Sequence, residues 1–196
     1  MPLDGGGPPR LGRFVHLRPG TGLGMGVWLA GRSIPSEGGN APCAFDCGDA
    51  DEVAAQRAMA SEAGRSLPTY ETAACGKGLP VLARLFSRTE TTPEEMLAEA
   101  RAGGSYRREV ELYARLLGRA AQAGTLAVLP DACVFSGPVV NALPEWAFET
   151  ALREFRRHGT LAPVLARVRM VKVLAEDLPL IGAELAAEQR GGREPS

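Results

Sequence analysis

The chain has 196 residues, 45% hydrophobic and 23% charged, with a formal net charge of −1. A chain of this length suits one domain, or a domain with an appended subdomain, and needs no metal or disulfide to fold. The near-zero charge argues against a protein dominated by nucleic-acid binding, which draws on a large cationic excess. No stretch approaches the roughly 18 uninterrupted apolar residues of a membrane helix. Met1 to Gly12 is rich in glycine and proline and lacks the apolar core of a signal peptide. The expectation is therefore a soluble, cytoplasmic protein that makes no membrane contact.

After that leader, Arg13 to Arg18 (RFVHLR) alternates in the manner of a strand. Val27-Trp28-Leu29-Ala30 comes after a glycine-dense connector, and the two runs together predict a hairpin. Ser33 to Cys47 reads as loop, broken by Pro35, Gly38, Gly39, Asn40 and Pro42. The first clear helix starts at Asp49, where Asp49 and Glu52 have the spacing of a capping box, and it stops at Gly64. Residues 65–80 look irregular, and Pro80 to Arg88 suggests a short helix. Thr92-Pro93-Glu94-Glu95 starts another helix, which ends at Gly103-Gly104. Ser105 is placed as the cap of the next, which runs to about Ala123. Thr125 to Leu129 and Ala132 to Phe135 then read as a second short β-pair. A helix over Glu145–His158 comes next, and Thr160 is placed as the cap of a last long helix over 161–178, with Val164, Leu165, Val168, Val171, Leu174 and Leu178 on its apolar side.

The resulting fold class is α+β: a helix-rich C-terminal half packed with a small N-terminal hairpin and a second short β-pair. A composition shift near residue 48 divides the chain into a Gly/Pro-rich β-like segment (1–48), a helix-rich main domain (49–188) and a polar tail (189–196).

Motifs are few. The cluster Gly20-Thr21-Gly22-Leu23-Gly24-Met25-Gly26 has neither the G-x-G-x-x-G spacing of a dinucleotide loop nor the terminal lysine of a P-loop, and it leads into a β-like run. Glycine at every second position leaves a bare strand face, so a close-packed hairpin is the better reading. Cys43, Cys47, Cys75 and Cys133 offer only one closely spaced pair, so they read as free thiols, with no metal or cofactor. Among them Cys75, in Cys75-Gly76-Lys77-Gly78, is the candidate reactive thiol, because a neighbouring ammonium lowers a thiol pKa. Its general base would have to be His16 or His158. The acidic residues Asp49, Asp51, Glu52, Glu94 and Glu95 are accounted for by helix first turns.

Two surfaces are left. Arg153, Arg156, Arg157, Arg167, Arg169 and Lys172 form a basic set over two predicted consecutive helices, which admits nucleic acid as a partner. The apolar side carrying Val164, Val168, Val171 and Leu178 suits a protein partner or a second copy of the chain. The function expected from these features is a protein–protein interaction or assembly subunit without an evident catalytic site. The alternatives are a cysteine-dependent enzyme using Cys75 and a nucleic-acid-binding regulator using the basic face.

Overall fold

The structure is a computed structural model, and it describes residues 12–29 and 32–174. Among these, β1 (Arg13–Pro19), β2 (Leu23–Leu29), β3 (Arg32–Ile34), β4 (Ala132–Phe135) and β5 (Arg169–Lys172) form one five-stranded sheet in the order β3-β2-β1-β4-β5. The hairpin register pairs Arg18 with Gly24 and His16 with Gly26, so the alternate glycines do leave a bare face beside β1. β1 also pairs in parallel with β4, and β4 in parallel with β5. One sheet therefore draws strands from both sides of residue 48.

Alternation decides which face of the sheet is covered. Val15 and Leu17 of β1 and Cys133 and Phe135 of β4 are buried against helices, while His16 and Arg18 point the other way. The covering layer is built on α5 (Arg107–Val128), whose buried stripe includes Val110, Tyr113, Leu117 and Ala121. It packs against β1 and against α7 (Glu145–Arg156). At Gly118 of α5 a Cβ would run into the Ala151 carbonyl, so glycine is what lets these two helices cross closely.

The cap signals at Asp49 and Thr92 act where the sequence places them. The Asp49 carboxylate accepts from the Asp51 and Glu52 N–H groups at the start of α1 (Ala50–Glu62), and Gly64 comes after it with φ +60°. Thr92 and Glu95 form a reciprocal box at the start of α4 (Pro93–Arg101). Between them lie α2 (Tyr70–Ala73) and α3 (Gly78–Leu82), the latter running into one wide turn over Ala83–Ser87.

Several local readings need correction. Ser33 and Ile34, read as loop, belong to β3, and residues 65–80, read as irregular, contain α2 and the start of α3. Ser105 caps nothing: the start of α5 is Tyr106, held at φ 69° without a side-chain cap bond. Thr125–Val128 is the last turn of α5, closed by Leu129 at φ 52°, so the second β-pair is β4 with β1 and β5 instead. The helix expected over 161–178 is a single turn, α8 (Ala162–Leu165), succeeded by strand β5, and Thr160 is not its cap. The run Val168, Met170, Val171 and Val173 is rich in β-branched residues, and an open parallel edge on β4 takes it up as strand. Residues 175–178 of the expected helix lie outside the described residues. The remaining short helix, α6 (Pro138–Ala142), comes after β4 and Gly137. The fold is α+β with a helix-rich C-terminal half, and among the described residues no helix is long and apolar enough to cross a membrane.

Candidate functional site

A cleft of about 410 Å³ opens at the turn between β1 and β2, a size suited to a small-molecule ligand. Arg18, Gly20, Thr21 and Gly22 of the hairpin line it together with Glu37, Gly39 and Glu71. The hairpin turn is tight. The Gly20 N–H donates to the Gly22 carbonyl at 2.8 Å, and the Gly20 carbonyl accepts from the Gly76 N–H at 2.8 Å. A Cβ at Gly76 would stand 2.9 Å from that carbonyl, so the loop after α2 reaches the turn only because it carries glycine.

The two carboxylates come from segments that are distant in sequence. Gly38–Asn40 forms one 3₁₀ turn and Glu37 precedes it. Asn40 Nδ2 donates to Glu37 Oε2 at 3.0 Å, and the Gly38 N–H donates to Ser36 Oγ at 3.1 Å. The turn is seated on β2: a Cβ at Gly39 would enter the Leu23 carbonyl, and one at Gly38 would enter the Met25 sulfur. Just beyond it, the Cys43 N–H donates to the Pro68 carbonyl at 2.9 Å and the Tyr70 N–H to the Ala41 carbonyl at 3.1 Å. Those two bonds bring Glu71, in the first turn of α2, to the same cleft as Glu37. The Glu71 carboxylate lies over the hairpin turn, with Oε1 2.7 Å from where a Gly22 Cβ would stand.

The chemistry of this arrangement comes from its donor and acceptor set. The carboxylate oxygens of Glu37 and Glu71 are hydrogen-bond acceptors, which suit the hydroxyl groups of a polyol. Arg18, Thr21 and the glycine turn line the same cleft. A second cleft of about 390 Å³, between Phe45, Tyr70, Arg119 and Glu154, has its charges engaged internally: Arg119 with Glu52 and Glu154, and Arg157 with Asp46.

The residues singled out from sequence fall elsewhere. Cys75 is buried at 0% exposure, and burial raises its thiol pKa, the reverse of activation. Neither histidine is its partner: His16 Nε2 is bonded to Ser136 Oγ at 2.7 Å, and His158 Nδ1 accepts from the Leu161 N–H. All four cysteines are free, and Cys47 is the exposed one. In native protein at neutral pH, Cys75 is expected to react with a thiol reagent more than about tenfold slower than Cys47, since both access and thiolate fraction oppose it. Peptide-resolved labelling rates check this, and equal rates would contradict the placement.

Of the apolar set, Val164 is exposed at 37%, Val168 and Val171 are buried, and Leu178 lies outside the described residues. The expected continuous stripe does not form, because Val164 sits in a helical turn and Val171 in a strand. The basic set is likewise divided between α7, the exposed turn at Arg167 and strand β5. Arg153 donates to Thr150 Oγ1, Arg157 pairs with Asp46 and Glu154, Arg156 is half-buried in the last turn of α7, and Lys172 Nζ stands 4.4 Å from the Phe148 ring centroid. Arg169 is bound into β5 beside Ala132.

Sequence reading passes over Glu37 and Glu71. The one local sign is a glycine turn between two predicted strands, which matches neither of the phosphate-loop spacings that lead from strand to helix.

A family model described as Glucokinase matches residues 2–190. No curated protein matches the chain. The fold is similar to that of a glucokinase from an Antarctic psychrotroph, with TM-score 0.80 and 18% identity over 96% of this chain and 62% of that one. It is similar also to the glucokinase of Balamuthia mandrillaris in complex with glucose, with TM-score 0.77 and 16% identity over 91% and 55%. A third similar structure is the ROK hexokinase of Thermus thermophilus, with TM-score 0.69 and 23% identity over 92% and 59%. At these identities the likeness is one of fold. The chain spans between 55% and 62% of the length of these structures.

Proposed function

The chain belongs to the glucokinase family, and on that premise we propose that it takes part in phosphoryl transfer from a nucleoside triphosphate to a hydroxyl of glucose. Membership over residues 2–190 corrects the expectation of an assembly subunit without a catalytic site, together with its cysteine-enzyme and nucleic-acid alternatives. The apolar and basic residues that suggested those roles are largely absorbed by the sheet, its core and local pairing.

The observation that carries the reading is the cleft in which Glu37 and Glu71 face a glycine turn. Phosphoryl transfer asks a protein mainly to position two substrates and to stabilise charge on the phosphates. The two carboxylates supply acceptors for sugar hydroxyls, and the Asn40 amide keeps the Glu37 carboxylate oriented when no sugar is bound. The glycine turn leaves the backbone at Gly20, where a Cβ would meet nothing within 4 Å, and the Thr21 hydroxyl open to phosphate oxygens. The glucose in the Balamuthia structure supports the choice of sugar.

The test is glucose binding and glucose-dependent ATP turnover by the full chain, compared with Glu71→Gln. The amide keeps the shape but replaces a charged acceptor with a neutral one. A lost charged hydrogen bond is worth ~1.5–3 kcal/mol, so glucose affinity should fall about tenfold or more with the melting temperature unchanged. Glucose binding that is equal in both proteins, or absent from the wild type, would refute the assignment.

A further inference from the structure

We infer that the cleft beside Arg119 is a second sugar site, separate from the first, which takes a neutral polyol the size of a single pyranose. Its volume of about 390 Å³ suits such a ligand, and it lies between the loop at 44–46, Tyr70, α5 and the end of α7. Phe45, Ala123 and Leu126, all half-buried, give it an apolar surface. Tyr70 also lines it and is itself buried, with its hydroxyl bonded to the Ala44 backbone.

The other lining residues are polar, and three of them keep atoms for a ligand. Glu154 is only 9% exposed. Its Oε1 accepts from Arg119 Nε at 2.7 Å, whereas among the described residues Oε2 meets only Arg157 Nη1, at 3.6 Å. That is too long for a hydrogen bond, so a buried carboxylate oxygen is left as a strong acceptor in the cleft. The Arg157 side chain is 65% exposed and its contact with Asp46 Oδ2 is 3.9 Å, so its guanidinium keeps N–H donors in reserve. Gln122 gives its amide hydrogens to the Phe155 and Arg157 carbonyls, at 2.8 and 3.2 Å, which leaves the amide oxygen as an acceptor.

Charge decides the class of ligand. In the lining, Arg119 and Arg157 balance Asp46 and Glu154. An anion would meet the two carboxylates and an organic cation the two arginines. Among the described residues no group of His, Cys, Asp and Glu is placed to hold a metal ion. A neutral molecule with several hydroxyls suits both signs, because a hydroxyl donates to a carboxylate and accepts from a guanidinium. The C–H face of its ring would lie on Phe45 and Leu126. Such a sugar would rest on the same two segments that shape the first cleft. Tyr70 precedes Glu71, and the loop at 44–46 continues from the turn of Glu37 and Asn40.

The experiment is a titration of the isotope-labelled full chain with glucose, followed by amide NMR shifts at both clefts. Two sets of shifts are expected, one at Gly20, Gly22 and Gly39, the other at Phe45, Asp46 and the Gln122 side-chain amide. Ala123→Leu puts a larger side chain into the second cleft and should remove the second set while keeping the first. Arg157→Gln, whose lost ion contacts are too long to hold the fold, should weaken the second set by about tenfold or more. Glu71→Gln should weaken the first set alone. If the second set is absent, or persists unchanged in both Ala123→Leu and Arg157→Gln, the second site is overturned while the first stands. Saturation of the Phe45 and Gln122 signals by inorganic phosphate would overturn the neutral class of ligand. A second set without the first would overturn the reading of the first cleft and leave this site in place.

Discussion

Replacement of Glu52 by alanine is expected to lower the unfolding free energy by about 3–5 kcal/mol, the scale of breaking a buried ion pair by removing one partner. Glu52 is 0% exposed. Its carboxylate accepts from Arg119 Nη2 at 2.9 Å and from Arg119 Nη1, from the Asp46 N–H at 2.6 Å, and pairs with Arg115 Nη1 at 3.0 Å. Arg119 in turn donates to Glu154 Oε1 at 2.7 Å and to the Ala44 carbonyl at 3.1 Å. One carboxylate therefore ties α1, the loop at 44–46, and α5 together, and reaches α7 through Arg119. Alanine would leave two guanidinium groups short of a counter-charge, with only 11% of the Arg119 side chain exposed to water. Urea unfolding at neutral pH checks this. A change below about 1 kcal/mol would mean that water and the remaining acceptors compensate, at the level typical of surface pairs.

Gly39→Ala should abolish most sugar binding while leaving the chain folded. The added methyl cannot fit against the Leu23 carbonyl, so the turn that presents Glu37 must lift from β2. A displacement on the order of 1 Å at a binding group costs roughly 100-fold, more than loss of charge at Glu71 alone. The stability penalty should stay within the ~1–3 kcal/mol typical of overpacking, because the turn lies at the edge of the sheet. Gly26→Ala is the matched control, since a Cβ there meets nothing within 4 Å. Titration with glucose decides between the outcomes. If Gly39→Ala binds glucose as Gly26→Ala does, the turn does not position the sugar.

These two residues mark where sequence reading stops being sufficient. By spacing, Glu52 is the back-reaching member of a capping box. Asp49 does cap α1, but the Asp49 N–H is taken by the Asp46 carbonyl and the Glu52 carboxylate turns to the arginines of α5. Spacing identifies the helix start because a cap is local; it carries no information on a partner brought in by α5. Gly39 is legible as a breaker within a loop, yet its contact with the Leu23 carbonyl exists only once the turn folds back on β2.

Local signals are enough for the helix starts at Asp49 and Thr92, the stop at Gly64, the hairpin and the α+β class, because caps, breakers and alternation act within a few residues. The run after Thr160 is different. Its apolar spacing fits a helix, and only the open edge of β4 makes Arg169–Lys172 a strand, since pairing there satisfies backbone groups and buries Met170 together. The cleft depends on tertiary structure entirely. Glu37 and Glu71 become neighbours through the bonds of Cys43 to Pro68 and Tyr70 to Ala41, and the Arg18 stem crosses Gly137, which arrives with the parallel strand β4. The glycines conspicuous in the sequence do line this site, but their role is set by the groups packed around them: two carboxylates and one arginine from separate segments, which no local pattern could relate.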